Sequence, residues 1–195
     1  MEALLERWLE EILATPGLTS LKSLAAARRV LVDDALQAIP AVSANPGPVV
    51  DLGSGGGSPG IPLAVSLPER RVTLLEAQRR KCEFLERFAA ELPNADVVWG
   101  RAEDAAVDAY GVVLAKALAK PPVAAELCLP LVRAGGAAVL WIGASADVDA
   151  VAHVAERLAG RVEECLEGVL VLRKTGPTPP GFPRRPGMAK KRPLA

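Results

Sequence analysis

The sequence predicts an α/β fold in which a mostly parallel, seven-stranded sheet ends in an antiparallel hairpin and is preceded by N-terminal helices. After a breaker at 45–48 (NPGP), short apolar runs alternate with helical segments, and this alternation requires parallel crossovers. The runs are continuous in Val, Leu and Ile, as in strands that are buried on both faces. Only Glu167-Gly168 separates the last two runs, which is too short for a crossover and therefore predicts a hairpin.

The chain of 195 residues is predicted to form a single domain, 1–195. Its parts are an N-terminal helical segment (1–40), an α/β core (49–174) and a C-terminal arm (175–195). Half of the residues (50%) are hydrophobic, which is enough to form a buried core.

The N-terminal segment is predicted to form two helices. Apolar residues recur at helical spacing over 2–13 and define one face: Leu4, Leu5, Trp8, Leu9, Ile12 and Leu13. The turn at 15–17 (TPG) ends this helix, and a second helix is predicted over about 20–39.

The core is predicted to alternate strands with helices before the final hairpin. The strands are expected at about 49–52, 72–76, 95–99, 111–115, 137–142, 161–166 and 169–174. The helices are expected at about 61–67, 78–92, 120–132 and 147–159. Residues 175–195 contain six prolines, three glycines, five basic residues and no acid. This composition predicts an extended basic arm rather than a helix or a central strand.

Composition excludes several classes of function. Because 23 basic residues balance 23 acidic ones, any contact with nucleic acid is expected to be local. No apolar run reaches the roughly 18 residues of a membrane span, and the amphipathic N-terminus is unlike a signal peptide. Cys82, Cys128 and Cys165 are far apart, and with the single His153 they predict neither a disulfide framework nor a metal site. We expect a soluble, cytoplasmic protein without a metal.

A glycine-rich loop carries the clearest chemical signal. Residues 51–60 (DLGSGGGSPG) follow the first parallel strand directly and open into a helix. Gly53, Gly55 and Gly57 allow a sharp turn and a close approach of a ligand to the backbone. Glu76 ends the second strand, where a carboxylate can accept both hydroxyls of a ribose. The pattern predicts a site for a nucleoside-containing cofactor at the carboxyl end of the sheet.

Two cofactors fit this loop. Gly55, Gly57 and Gly60 have the spacing of the dinucleotide fingerprint, so NAD is one alternative. Asp51 lies at the strand tip, where its carboxylate can meet a positively charged amino group rather than a pyrophosphate. This position and the terminal hairpin favour S-adenosylmethionine. The remaining alternative is a glycine-rich turn that binds no ligand.

Two further positions lie at the same edge of the predicted sheet. Ala102 and Glu103 follow the third strand, where they can flank an adenine, although a solvated helix start explains them equally well. Lys116 follows the fourth strand and is the candidate catalytic residue and a candidate cofactor contact, with a surface lysine as the alternative. The basic run 79–81 is interpreted as a solvated helix face, and Cys82 as a core residue.

Residues 51–62 and 174–187 resemble the glucose-inhibited division protein B family. Shorter matches occur at 17–19, 29–33 and 135–136, so the resemblance covers nearly the whole chain. It implies a Rossmann-like, class I S-adenosylmethionine-dependent methyltransferase that modifies the 7-nitrogen of a guanine in bacterial 16S ribosomal RNA.

The resemblance also implies roles for single residues. Gly53 and Ser58 would touch the cofactor, Glu76 would bind its ribose, and Ala102 with Glu103 would frame its adenine. Position 116 would reach the active site.

The sequence departs from the family pattern mainly on the substrate side. Lys116 replaces an arginine, Ser58 replaces a bulky or apolar residue, and Val30 replaces a histidine. Ile142-Gly143 replaces a lysine-glycine pair, and Glu167-Gly168 replaces an arginine-histidine pair. A methyltransferase with another substrate and a non-catalytic cofactor- or RNA-binding protein therefore remain alternatives.

The arm supplies the predicted RNA contacts. Arg184, Arg185, Lys190 and Lys191 are expected to meet phosphates of 16S rRNA or of the small ribosomal subunit, because phosphate contacts position a substrate without reading its sequence. The alternative is a tail that packs over the sheet edge. No face of the predicted protein indicates self-association, and a monomer is expected.

Overall fold

The computed structural model describes residues 2–166 and 168–195. Its strands are β1 (Val49–Leu52), β2 (Val72–Glu76), β3 (Ala95–Trp99), β4 (Tyr110–Ala115), β5 (Val132–Trp141), β6 (Gly160–Leu166) and β7 (Val169–Lys174). Its α-helices are α1 (Glu2–Ala14), α2 (Leu24–Ala27), α3 (Asp34–Leu36), α4 (Ile39–Ala44), α5 (Gly60–Ser66), α6 (Arg79–Ala89), α7 (Pro121–Cys128), α8 (Val148–Arg157) and α9 (Met188–Lys191).

All seven strands form one sheet in the order β3-β2-β1-β4-β5-β7-β6. Strands β1 to β5 are parallel, whereas β7 runs antiparallel to both β5 and β6. The order reverses between β1 and β4, and in open α/β sheets ligands bind at such a switch point, outside the carboxyl ends of the strands. The predicted mostly parallel sheet with a terminal hairpin is confirmed. In the hairpin turn Gly168 has φ +80°, and Glu167 lies outside the described residues.

Buried apolar side chains form one cluster on each face of the sheet. Helices α1, α5 and α6 cover one face, where Trp8 and Phe88 are among the largest buried side chains. Helices α7 and α8 cover the other face, with Leu129 and Val151 in the core. Strands β1 and β4 at the centre of the sheet are therefore covered on both faces, as their continuous Val and Leu runs predicted, whereas the edge strand β3 leaves Val98 and Trp99 exposed.

The predicted helix over 20–39 is wrong in its start and in its regularity. Ser23 caps the first turn by accepting a hydrogen bond from the amide of Ala26 (3.3 Å), so the helix starts at Leu24. A π-helical segment, Arg28–Asp33, joins α2 to α3. The next helix, α4, has a proline in its first turn, a position at which proline starts a helix instead of breaking one.

The predicted arm without a helix is also wrong. Helix α9 occupies Met188–Lys191, in the stretch between Pro186 and Pro193 that contains no proline. Proline prevents a helix only locally, and Gly187, with φ +81°, provides the turn that starts this one. Phe182 and Leu194 pack against the core beside α7, so the arm lies on the folded body.

Candidate cofactor and acceptor site

The carboxyl ends of β1, β2 and β4 surround a cleft of about 350 Å³. Four of the predicted cofactor residues line this cleft: Gly53, Glu76, Ala102 and Glu103. Leu118 and Val123 provide apolar lining after β4 and in α7. The structure therefore brings together the end of β1, the acid that ends β2 and the residues that follow β3, as the topology of a parallel sheet requires.

Glu76 is held rigidly at the edge of this cleft. Its buried carboxylate accepts hydrogen bonds from the amides of Gly55 (2.9 Å) and Gln78 (2.8 Å). The amides of Gly53 and Ser54 in turn donate to the carbonyl of Leu75, at 2.8 and 3.1 Å. These bonds tie the glycine loop to the end of β2, and they fix the acid relative to the loop backbone.

Gly53 is confined by both its conformation and its surroundings. Its φ of +71° lies in the left-handed region that favours glycine. A Cβ atom built on it would lie 2.5 Å from Cδ1 of Leu118. Any larger residue would therefore push on the wall of the cleft.

Asp51 lies beneath the loop and is only 1% exposed. Its Oδ2 atom accepts a hydrogen bond from the amide of Gly60 at 3.0 Å. Burial raises the pKa of Asp51 to about 7, although the Gly60 amide opposes the shift. The Asp51 carboxylate therefore binds the backbone of its own loop. Asp51 is not among the residues that line the cleft, although the next two residues, Leu52 and Gly53, are.

Ser58 and Lys116 connect the loop to the N-terminal helices. The Ser58 hydroxyl donates to the carbonyl of Leu31 at 2.8 Å. The Lys116 ammonium donates to the carbonyl of Val30 and to the Ser58 hydroxyl, the latter at 3.3 Å. Burial lowers the pKa of Lys116, and the nearby carboxylates of Asp34 and Asp51 oppose that change. Lys116 therefore ties the end of β4 to the π-helical segment. Four more of the predicted cofactor contacts are not among the residues that line the cleft: Gly55, Gly57, Ser58 and Lys116.

A second pocket of about 380 Å³ lies beyond Lys116. Its lining includes Asp34, Gln37, Lys116 and Trp141. Ala117 lines both this pocket and the cleft, so the two cavities adjoin at one residue. Sequence reasoning missed Asp34 and Trp141, because one lay inside a predicted helix and the other inside a predicted strand, with no motif around either.

The arm forms one wall of the cleft through Gly187, Ala189 and Lys190. The amide of Gly187 donates to the Glu103 carboxylate at 2.9 Å. Arg184, which was predicted to bind RNA, instead makes two hydrogen bonds of 2.6 Å to Glu126, a residue only 3% exposed.

A second anchor lies at the start of the arm. The fully buried Lys174 ammonium donates to the hydroxyl of Thr178 (2.6 Å), and that hydroxyl donates to the carboxylate of Asp108 (2.7 Å). The arm is thus fixed to the folded body on both sides of its proline-rich stretch.

The other predicted basic residues of the arm face the solvent. Arg185, Lys190 and Lys191 are exposed. Cys82 and Cys128 are buried and Cys165 is exposed, all three as free thiols. Within residues 2–166 and 168–195, no group of three or more acids, cysteines and histidines is arranged to hold a metal ion. In the same part of the chain, every helix is too short or too polar to cross a membrane.

Comparison with known proteins identifies relatives over most of the chain. The family model of GidB, rRNA small subunit methyltransferase G, matches residues 2–165. Ribosomal RNA small subunit methyltransferase G of Pelotomaculum thermopropionicum is 38% identical over 181 residues, which cover 83% of this chain and 76% of that protein. The protein of the same name from Rubrobacter xylanophilus is 41% identical over 171 residues, which cover 76% of this chain and 65% of that protein. The chain thus spans about two thirds to three quarters of the length of these relatives.

Solved structures share the fold at low sequence identity. A T. thermophilus 16S rRNA N2 methyltransferase in complex with AdoMet and guanosine superposes with a TM-score of 0.56 at 22% identity, covering 76% of this chain and 40% of that one. The antibiotic-resistance methyltransferase Kmr superposes with a TM-score of 0.56 at 12% identity, covering 73% of this chain and 93% of that one. Both are methyltransferases, and at these identities the likeness establishes the fold, which agrees with the predicted class I methyltransferase fold.

Proposed function

Because the chain belongs to the family of rRNA small subunit methyltransferase G, we propose that it methylates the 7-nitrogen of a guanine in 16S rRNA, with S-adenosylmethionine as methyl donor. The observation that carries the proposal is the cleft between Gly53 and Glu76 at the switch point of the sheet. An enzyme of this kind works where ribosomes are made, in the cytoplasm.

The residues of the cleft fit a sulfonium nucleoside. Glu76 presents a carboxylate that two backbone amides already orient, and that carboxylate can accept the ribose hydroxyls. Ala102 and Glu103 would flank the adenine, with Leu118 and Val123 as the apolar lining of the same cleft. Four further residues shape the loop that positions Gly53 and do not line the cleft: Asp51, Gly55, Gly57 and Ser58.

The cofactor supplies a methyl group bonded to a positively charged sulfur. The 7-nitrogen of guanine has an in-plane lone pair and no proton, so the protein needs no general base. In the transfer that lone pair would form the new bond to the methyl carbon, and the carbon–sulfur bond would break with its electron pair left on sulfur. The contribution of the chain is to align nitrogen, carbon and sulfur in a line. We place this alignment at Lys116 and Ala117, where the two cavities adjoin.

We assign the RNA contacts to the exposed part of the arm. Arg185, Lys190 and Lys191 are exposed next to the cleft and carry the positive charge that phosphates attract. Arg184 anchors the arm instead, because its guanidinium already donates two hydrogen bonds to the Glu126 carboxylate. With no net charge on the whole chain, binding to small subunits depends on this local patch. We assign a monomer as the working form.

Titration calorimetry with S-adenosylhomocysteine tests the cofactor site. Micromolar binding is expected for the wild-type protein, and Glu76→Ala is expected to abolish it. Glu83→Ala is the matched control, because Glu83 is an exposed acid on α6 that pairs with the exposed Arg79. Binding of NADH instead of S-adenosylhomocysteine would contradict the methyltransferase assignment.

Mass spectrometry of 16S rRNA tests the reaction. Small subunits incubated with the protein and S-adenosylmethionine are expected to gain one methyl group on a guanine, at the 7-nitrogen. Methylation of another class of molecule, with rRNA unmodified, would establish the alternative of a changed substrate. Cofactor binding without transfer to any acceptor would establish the non-catalytic alternative.

A further inference from the structure

The second pocket carries a lining that matches one nucleobase. Asp34, Gln37 and Lys116 contribute an acceptor, an amide and a cationic donor, and Trp141 contributes an aromatic surface. The indole N–H of Trp141 donates to the carbonyl of Asp34 at 2.9 Å, which fixes these two residues relative to each other. The pocket meets the cofactor cleft at Ala117.

We propose that this pocket receives the acceptor base and that Asp34 selects guanine by accepting hydrogen bonds from its ring N1–H and its 2-amino group. The inference rests on the proposed function, and it adds the group that reads the base. Enzymes that modify a base within RNA or DNA take it out of the stack and read its Watson–Crick edge in a pocket of this kind.

Hydrogen-bond chemistry selects guanine among the four bases. A carboxylate only accepts hydrogen bonds, and its two oxygens accept from two neighbouring donors. Guanine presents two adjacent donors on its Watson–Crick edge. Adenine and cytosine each place an acceptor beside their single amino group, and uracil has one donor between two carbonyls. A carboxylate facing any of these three bases would lie against a lone pair.

Lys116, which also lines the pocket, adds a donor to the recognition. An ammonium has three N–H bonds, and two of those in Lys116 are used by the Val30 carbonyl and the Ser58 hydroxyl. The third can donate to the 6-oxygen, which lies next to the 7-nitrogen on the base. With Asp34 on N1–H and the 2-amino group and Lys116 on the 6-oxygen, the edge of the base that carries the 7-nitrogen is free to face Ala117, where the pocket adjoins the cleft.

The Asp34 carboxylate also stabilises the product. Methyl transfer moves one positive charge from sulfur to the guanine ring. A carboxylate hydrogen-bonded to that ring stabilises the charge as it develops, and fixed charges of this kind contribute most in a site from which water is excluded. Asp34 therefore affects the rate as well as the choice of base.

Nucleotide binding provides the first test. Calorimetry with guanosine, inosine and adenosine 5′-monophosphates is carried out on the wild-type protein saturated with S-adenosylhomocysteine. Inosine lacks only the 2-amino group, and the loss of one hydrogen bond to a charged partner is expected to weaken binding roughly ten- to a hundred-fold. Asp34→Asn is expected to bind the guanine and inosine nucleotides equally. Asp33→Asn, a change in the neighbouring exposed acid, is expected to keep the preference.

Methylation of small subunits provides the second test and separates the two proposals. Asp34→Asn is expected to lower kcat/KM at least ten-fold with unchanged affinity for S-adenosylhomocysteine. Equal or absent binding of the three nucleotides by the wild-type protein, or wild-type methylation by Asp34→Asn, would overturn the pocket assignment while leaving the proposed function intact. Guanine-selective binding without any rRNA methylation would overturn the proposed function and leave the pocket.

Discussion

The two walls of the cofactor cleft are held in different ways. On the glycine-loop side, hydrogen bonds join the loop after β1 to the end of the neighbouring strand β2, as between Gly55 and Glu76. On the arm side, the wall at Gly187 depends on contacts between residues far apart in sequence, Arg184 with Glu126 and Lys174 with Asp108. The loop wall follows from the local sequence, whereas the arm wall exists only once the whole domain has folded.

This difference explains why one wall was predictable and the other was not. Glycines after a strand and an acid at the end of the next strand identify a ligand-binding loop before any contact is known. A proline-rich basic segment gives no such information, because the partners of Arg184 and Gly187 lie elsewhere in the chain. Because the arm wall depends on the contacts of Arg184 with Glu126 and of Lys174 with Asp108, we expect a single substitution to disturb it more than the loop wall.

The largest effect is expected from Arg184→Met. Removing the guanidinium leaves the Glu126 carboxylate buried without its partner, which costs about 3–5 kcal/mol of unfolding free energy. Urea denaturation measures this loss, and calorimetry is expected to show weaker binding of S-adenosylhomocysteine as the Gly187 wall detaches.

Two variants control for this prediction. Arg185→Met changes an exposed neighbour and is expected to leave both measurements unchanged. Arg184→Met combined with Glu126→Leu removes both charges and is expected to recover most of the stability. An Arg184→Met protein with the wild-type urea midpoint would show that the ion pair does not hold the arm.

A smaller effect is expected from Gly60→Ala on the loop side. The added Cβ would lie 2.2 Å from Cδ2 of Leu74 and 2.8 Å from Oδ2 of Asp51, both in the buried core. Overpacking of this kind costs about 1–3 kcal/mol, which a shift of the urea midpoint detects. Gly143→Ala is the control, because a Cβ there meets nothing within 4 Å. Equal midpoints for the two variants would mean that the loop is free to relax.

The pH dependence of stability tests the loop side through the buried carboxylate of Asp51. Burial raises the pKa of Asp51 to about 7 in the folded protein, so the folded state holds a proton that the unfolded state has already released. The stabilisation from this proton is fully present below the ordinary aspartate pKa and is lost as the pH rises through about 7. We expect urea midpoints measured between pH 4 and 8 to fall less steeply with pH in Asp51→Asn than in the wild-type protein. Parallel curves would contradict the buried position of this carboxylate.

The smallest effect is expected for an exposed ion pair far from both walls. Arg7 and Glu91 pair on the surface with side chains 46% and 49% exposed. Water and salt screen such pairs, so Arg7→Ala is expected to leave the melting temperature unchanged within error. A clear loss of stability would indicate that packing of the Arg7 side chain over the Phe88 ring matters more than its charge.

Most of the sheet could be predicted from the sequence because each strand is marked by an apolar run of its own. Strands β1, β2, β3 and β7 begin and end where the continuous apolar runs do. Strand β5 begins at Val132 instead of 137, since its first residues pair with β4 before a register shift that no local pattern indicates. The helix predicted over 120–132 ends at Cys128, where a 3₁₀ turn containing Pro130 follows.

The site was predictable mainly on the cofactor side, and on the acceptor side the sequence identified Lys116 alone among the pocket residues discussed above. Gly53, Glu76, Ala102 and Glu103 were identified by their positions after strands, and all four line the cleft. Asp34 and Trp141 come together only through the packing of the N-terminal helices against β5, which spacing along the chain does not encode.

The arm wall is also the last part of the cleft to be synthesised. Residues 187–190 are translated long after the glycine loop and after every strand of the sheet. Until α9 has been synthesised and has docked, one side of the cleft is missing, and we expect the cofactor to bind weakly to such a chain.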